Sequence, residues 1–193
     1  MSSRNLRRPP ALSAARLSAP NAWLYFVVGQ VGWFVCVMSA GRGLAWIGVA
    51  FVLVAVVWHA TRVAAPAPEL KLIAAAVLIG ALWESLLVAS GLLVYPNGVL
   101  VRGAPPWWLL ALWALFAVQL NVLFGWLKRR LLLAAAAGAL AGPLSFRAGA
   151  ALGAVQFANP VLSFVAIGAG WAVLMPLMLA LARRWNGVHA PSD

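Results

Sequence analysis

The chain is almost without acid, with three Asp and Glu against fourteen Lys and Arg in 193 residues, and it holds one cysteine and two histidines. Each scarcity removes a class of chemistry. Magnesium sites that handle lipid diphosphates draw on clustered carboxylates, and Glu69, Glu84 and Asp193 are the whole stock. Zinc needs three or four ligands at close spacing, which His59 and His189, the latter in a polar tail beside Pro191, cannot supply. Cys36, alone in an apolar run, offers no disulfide framework and reads as a small packing residue. No G-x-S-x-G, P-loop or dinucleotide fingerprint occurs, and no histidine lies near a serine of an apolar run, so a serine-hydrolase arrangement is not expected. No metal and no cofactor is expected.

What is present is apolar length. Hydrophobic residues make up 65% and charged residues 9% of the chain, outside the range of a soluble domain of this size. Crossing a bilayer takes about 20 apolar helical residues. Such runs lie near Asn21 to Met38, Leu44 to Thr61, Leu70 to Val94, Trp107 to Leu127, from Leu131 through Pro143, and Val161 to Ala182. None alternates with period two over ten residues, which disfavours a barrel. The expectation is an all-α integral membrane bundle of six transmembrane helices over 21–185, after a disordered basic arm, 1–20, and before a short tail, 186–193. The fifth region is kinked or broken at Pro143. Pro143 removes one intrahelical hydrogen bond, and Arg147 just beyond it favours a short span followed by a helical turn at the outer surface. Gly138 with Gly142, and Gly149 with Gly153, have the four-residue spacing that lets helix backbones approach.

Basic residues set the orientation. Arg4, Arg7, Arg8, Arg16, Arg62, Lys71, Lys128, Arg129, Arg130, Arg183 and Arg184 fall on one side of six spans, against Arg42, Arg102 and Arg147 on the other. The positive-inside rule then places both termini in the cytoplasm, the expected site being a bacterial inner membrane. Seven of the eleven tryptophans, Trp23, Trp46, Trp58, Trp107, Trp108, Trp126 and Trp185, sit near proposed span ends, where an indole prefers the headgroup level. The acid-free arm is expected to lie on anionic lipid, at about 1 kcal/mol per basic residue, and not on nucleic acid. Its resemblance to a transit peptide, and Ala40 as a signal-cleavage position, are discounted, because losing the first span would break the alternation of basic loops.

Inside the spans the polar residues are Gln30, Glu84, Gln119, Asn121 and Ser163. An ionisable residue at mid-membrane is costly and is by default a functional candidate, so Glu84 is the expected acid, base or proton carrier. The alternative is a carboxyl that hydrogen-bonds across to Gln30 or Gln119 and joins helices. Gly80 and Gly91 share the Glu84 face. Gln119 and Asn121, two residues apart, point to nearly opposite sides; Gln119 is preferred as the partner, with Trp126 seven residues on along its face. His59 is a poor partner, separated from Glu84 by roughly 20 Å of helix. Trp33, Trp83 and Trp113 are expected to line a pocket around Glu84, and Tyr95 to Pro106 to form a tight re-entry turn.

Gln30 with Trp33-Phe34, the acid at Glu84, Tyr95, Pro106-Trp107-Trp108-Leu109 with Leu112-Trp113 and Phe116, and Gly142-Pro143-Leu144-Ser145-Phe146 with Gly149 and Gly153 resemble a bacterial membrane-protein family catalogued as a domain of unknown function. Its members tend to carry Asp at the Glu84 position and Tyr at the Phe146 position. The resemblance implies a six-span inner-membrane protein and tilts the function towards fatty-acyl lipid modification. Three readings follow: a lipid-facing protein, either a small membrane enzyme or an accessory subunit, with Glu84 as acid or base; a non-catalytic scaffold using the glycine pairs to meet a protein partner; and a proton-coupled transporter with Glu84 as carrier.

Overall fold

The computed structural model describes residues 21–188. The arm over 1–20 and the end of the tail, His189 included, lie outside the described residues.

Six α-helices follow in order, α1 Ala22–Gly41, α2 Ala45–Ala60, α3 Pro66–Ala89, α4 Trp107–Leu120, α5 Leu131–Ala151 and α6 Pro160–Arg184, with β1 Leu93–Val94 paired antiparallel to β2 Gln156–Phe157. Four of them, α1, α3, α5 and α6, are long and apolar enough to cross a membrane, whereas α2 and α4 have 16 and 14 residues. The starts are chemically marked. Asn21 accepts from the Trp23 and Leu24 amides, Asn159 accepts from Leu162, and Pro66 and Pro160 open α3 and α6, where a missing N–H costs nothing.

Helix α4 stops at Leu120 and not near Leu127; a turn and a short 3-10 segment, Gly125–Leu127, follow. The physical reason is Asn121, whose side chain is bonded to Glu69 and to the Trp185 carbonyl and receives Lys128, so the chain folds back around it.

The fifth region is one continuous helix as far as Ala151, contrary to the break favoured by Arg147, which sits exposed on its last turns. Pro143 has no N–H to give the Ala139 carbonyl, and that carbonyl lies where Gly168 of α6 leaves room, since a Cβ there would meet it at 3.2 Å. The freed acceptor is thus tucked against a neighbouring helix and the helix survives.

Gly138 and Gly142 leave no space for a side chain beside Trp171 of α6, so the first glycine pair forms the α5–α6 contact. The second pair does not repeat it. Gly149 has only ordinary contacts at 3.6 Å or beyond, and Gly153 has nothing within 4 Å but a φ of +79°, so it ends α5 in the left-handed region. Gly91 is likewise a left-handed position with open space around it, not a helix-packing one, whereas Gly80 lies against the Trp113 ring. Gly153→Ala is expected to cost about 1–2 kcal/mol from backbone strain alone, read as a lowered unfolding midpoint in detergent; an unchanged midpoint would show that α5 ends by other means.

Helix α1 packs on α2 and α4, α4 also on α3, and α5 almost wholly on α6. This arrangement leaves a cleft between α1 and α5.

Candidate functional site

The cleft is a cavity of about 500 Å³ lined by Gln30, Trp33 and Phe34 of α1, by Leu112, Trp113, Phe116 and Gln119 of α4, by Leu144, Ser145 and Phe146 of α5, and by Glu84 and Trp171. Its size falls within the ~300–1,000 Å³ of small-molecule sites. Trp113 and Trp171 stack at 5.2 Å between centroids and 13° between planes, forming a flat aromatic wall. Trp33 Nε1 donates to Ser145 Oγ at 3.1 Å and bridges the two helices that flank the opening. Phe34 is 50% and Leu144 62% exposed, so the rim is apolar.

Glu84 is the one carboxylate of the cleft, 1% exposed. Its Oε2 accepts from the Tyr95 hydroxyl at 3.2 Å, and its Oε1 is buried without a hydrogen-bond partner among the described residues. Burial, and next the nearby Glu84, raise the Tyr95 phenol well above its ordinary range, which keeps it a donor. Tyr95 is itself fixed from below: its ring meets Trp108 edge-on at 5.9 Å, Trp108 Nε1 donates to the Asn97 carbonyl, and Asn97 Nδ2 donates to the Ala40 carbonyl that ends α1. The Tyr95 to Pro106 turn therefore carries a residue of the site.

The expected partners of Glu84 fall out differently. Gln30 lines the cleft from an exposed position and makes no hydrogen bond to Glu84. Gln119 lines it too, but its amide is spent on the α1 backbone: in the orientation that satisfies both groups, Nε2 donates to the Tyr25 carbonyl at 3.3 Å and Oε1 accepts from the Gly29 amide at 3.2 Å. Trp33 and Trp113 line the cleft and Trp83 does not; its ring fills the space left by Gly170 of α6, and its Nε1 is buried without a partner among the described residues. Trp126 is 60% exposed beyond the end of α4, so Phe124 takes the wall position instead. Ser163 lies outside the site, donating to the Leu92 carbonyl at 2.9 Å.

A second buried polar system, at the opposite end of α3, escaped the sequence reading. The Tyr25 hydroxyl is 2.9 Å from His59 Nδ1, His59 Nε2 is 3.1 Å from Glu69 Oε2, and Glu69 Oε1 accepts from Asn121 Nδ2 and from the Gly187 amide, both at 2.7 Å. Lys128 Nζ then donates to Asn121 Oδ1 and to the Ala182 carbonyl. The network ties α1, α2, α3, the end of α4 and the segment after α6 to one carboxylate, and it docks 186–188, the start of the short tail, onto the bundle. His59 and Glu69 are 0% and 1% exposed. One signal was available: the chain has only two tyrosines beside eleven tryptophans and eight phenylalanines, and both spend their hydroxyls on buried titratable groups.

Among the described residues no group of three or more His, Cys, Asp or Glu is placed to hold a metal ion. What the cleft can do chemically is accept an apolar chain against the tryptophan wall and set a carboxyl oxygen beside it. Comparison with curated proteins and with solved structures finds no match. The family model described as Protein of unknown function (DUF2878) does match, over residues 22–177, and the chain belongs to that family.

Proposed function

We propose that this is a multi-pass bacterial inner-membrane protein whose cleft admits one apolar chain of a membrane lipid from the side and presents it to Glu84 and Tyr95. The carrying observation is one Glu84 carboxyl oxygen, buried without a hydrogen-bond partner among the described residues, in the wall of a mostly apolar, aromatic cavity. A buried acceptor left unsatisfied costs about 1–3 kcal/mol, a penalty that a hydroxyl or amide on a bound lipid would remove. The reaction class this supports is proton transfer, with Glu84 as acid or base and Tyr95 holding its other oxygen, such as isomerisation or hydration of an acyl chain, or service as the lipid-holding subunit of a partner enzyme.

On this reading all six helices cross the bilayer with both termini in the cytoplasm, an orientation supported by the bias of eleven basic residues to three across six spans. Helix α4, at 14 residues about 21 Å long, completes its crossing through the loop carrying Trp126 and through local thinning of the bilayer. Of the two glycine pairs on which the scaffold reading rests, Gly138 and Gly142 are occupied by the chain's own Trp171, which leaves only Gly149 and Gly153 to meet a partner.

A phospholipid with a photoactivatable diazirine in its acyl chain, incorporated into membranes holding the full chain, tests the cleft. Cross-links are expected on fragments containing Leu112, Phe116 and Phe146, falling at least fivefold in Leu112→Trp, which fills the cavity. Leu82→Trp, on an exposed part of α3, is expected to leave them unchanged. Equal labelling of the cleft fragments in both variants would mean that the lipid only coats the surface.

A further inference from the structure

The end of the bundle that holds the Glu69 network has a second cavity, of about 380 Å³, lined by Gly125, Trp126, Lys128, Arg129, Arg183 and Asn186. Three of its six residues are cations. Among the described residues the only ion pair is His59 with Glu69, so none of these cations meets a carboxylate directly. Glu69 is already engaged by His59, Asn121 and Gly187.

Lys128 and Arg183 are tied to the bundle, whereas Arg129 is exposed and makes no hydrogen bond among the described residues. Lys128 is 8% exposed, and its ammonium donates to Asn121 Oδ1 and to the Ala182 carbonyl; an ammonium has three donors, and the third has no partner among the described residues. Arg183 Nη1 donates to the Lys128 carbonyl at 3.5 Å, which leaves the rest of its guanidinium fork for another acceptor. Burial pulls the Lys128 ammonium below the usual lysine range, Glu69 counters this, and Arg183 pulls it down again. Crowding like charges on a buried amine is unfavourable unless an anion joins them. A tetrahedral anion with several acceptor oxygens suits a point charge flanked by two planar forks better than a single carboxylate does. Trp126 beside the cavity is 60% exposed, as suits an indole at headgroup depth.

We infer that Lys128, Arg129, Arg183 and Asn186 bind a phosphate group at this end of the bundle, carried by an anionic membrane lipid or by a soluble phosphate. Basic pockets between helices at the cytoplasmic face are suited to such headgroups. The site shares no lining residue with the cleft and stands independently of the lipid-chain reading.

Native mass spectrometry of the full chain released from micelles tests it, with phosphatidylglycerol, phosphatidylcholine and inorganic phosphate as probes. Wild type is expected to retain one phosphatidylglycerol saturably and no phosphatidylcholine. Arg129→Gln with Arg183→Gln is expected to bind at least tenfold more weakly; Lys128 is left intact because it belongs to the buried network. Arg129→Gln alone, which removes an exposed side chain that makes no hydrogen bond within the described residues, is expected to weaken binding severalfold and controls for folding. If inorganic phosphate binds saturably and displaces the lipid, the site serves soluble phosphate; if the lipid resists it, the site serves the headgroup. Equal phosphatidylglycerol retention by wild type and both variants, or no saturable binding of either phosphate probe, would overturn the inference.

Discussion

Glu69→Ala is expected to abolish accumulation of folded protein, while Glu69→Gln accumulates near wild-type levels. The carboxylate collects His59 Nε2, Asn121 Nδ2 and the Gly187 amide, three donors or potential donors from α2, α4 and the segment after α6. A single interhelical hydrogen bond in a membrane protein contributes only about 0.6–2 kcal/mol. Removing the acceptor at the centre of a buried network leaves each of its former partners unsatisfied, at about 1–3 kcal/mol per group. The second figure governs here, because alanine strands His59 at 0% exposure and releases the docked 186–188 segment. Against a total stability of about 5–15 kcal/mol, that loss leaves little margin.

Glutamine should behave differently for a reason of donor and acceptor identity. Its carbonyl oxygen still accepts from Asn121 and Gly187, and its NH2 can donate to His59 Nε2 if the neutral imidazole carries its proton on Nδ1, towards the Tyr25 oxygen 2.9 Å away. Only the charge is lost, at about 1–2 kcal/mol. Monodispersity by size exclusion and the unfolding midpoint in mild detergent measure both variants. An alanine variant within about 1 kcal/mol of wild type would show that the network is incidental to the fold.

The six helices were legible because long apolar runs punctuated by Asn, Pro and basic residues leave few alternatives. The position of Glu84 was legible for a related reason: one carboxylate in an apolar run has no local explanation. Its surroundings were not. Tyr95 reaches Glu84 from a loop eleven residues on, and the Trp113–Trp171 stack joins α4 to α6. Helical geometry rightly separated Gln119 from Asn121, yet it could not reveal that Gln119 would be taken by the α1 backbone and Asn121 by Glu69. Glu69 gave almost no signal, because an acid in the first turn of a helix is favourable on dipole grounds alone. The Glu69 network pairs residues 10, 34, 52 and 118 positions apart, and no periodicity encodes such separations. The sequence leaves α5 open between one kinked helix and two, for a different reason. The sequence shows that Pro143 deletes a hydrogen bond, but only packing shows the freed Ala139 carbonyl tucked against Gly168.

The second large effect concerns Glu84, and the choice of substituent decides its meaning. In a strain lacking the protein and complemented by Glu84→Gln, a membrane lipid species that depends on the wild-type chain is expected to fall at least tenfold, as read by comparative lipidomics. Glutamine preserves the size of the side chain, and its carbonyl can still accept from the Tyr95 hydroxyl that lies 3.2 Å from Glu84 Oε2. It cannot exchange a proton at the other position, where Oε1 sits in the cavity wall without a partner among the described residues. A tenfold loss corresponds to about 1.4 kcal/mol in a barrier, and general acid–base groups typically contribute 10²–10⁴-fold, so a catalytic carboxyl exceeds this threshold comfortably. Glu84→Leu separates chemistry from architecture. If glutamine restores the lipid and leucine does not, Glu84 only anchors Tyr95 and the outer turn; if both restore it, the carboxyl has no part in the lipid's formation. Glu84→Asp completes the series: it keeps the acid one methylene shorter, so partial restoration by aspartate beside none by glutamine ties the activity to the proton and its distance from the Trp113 wall.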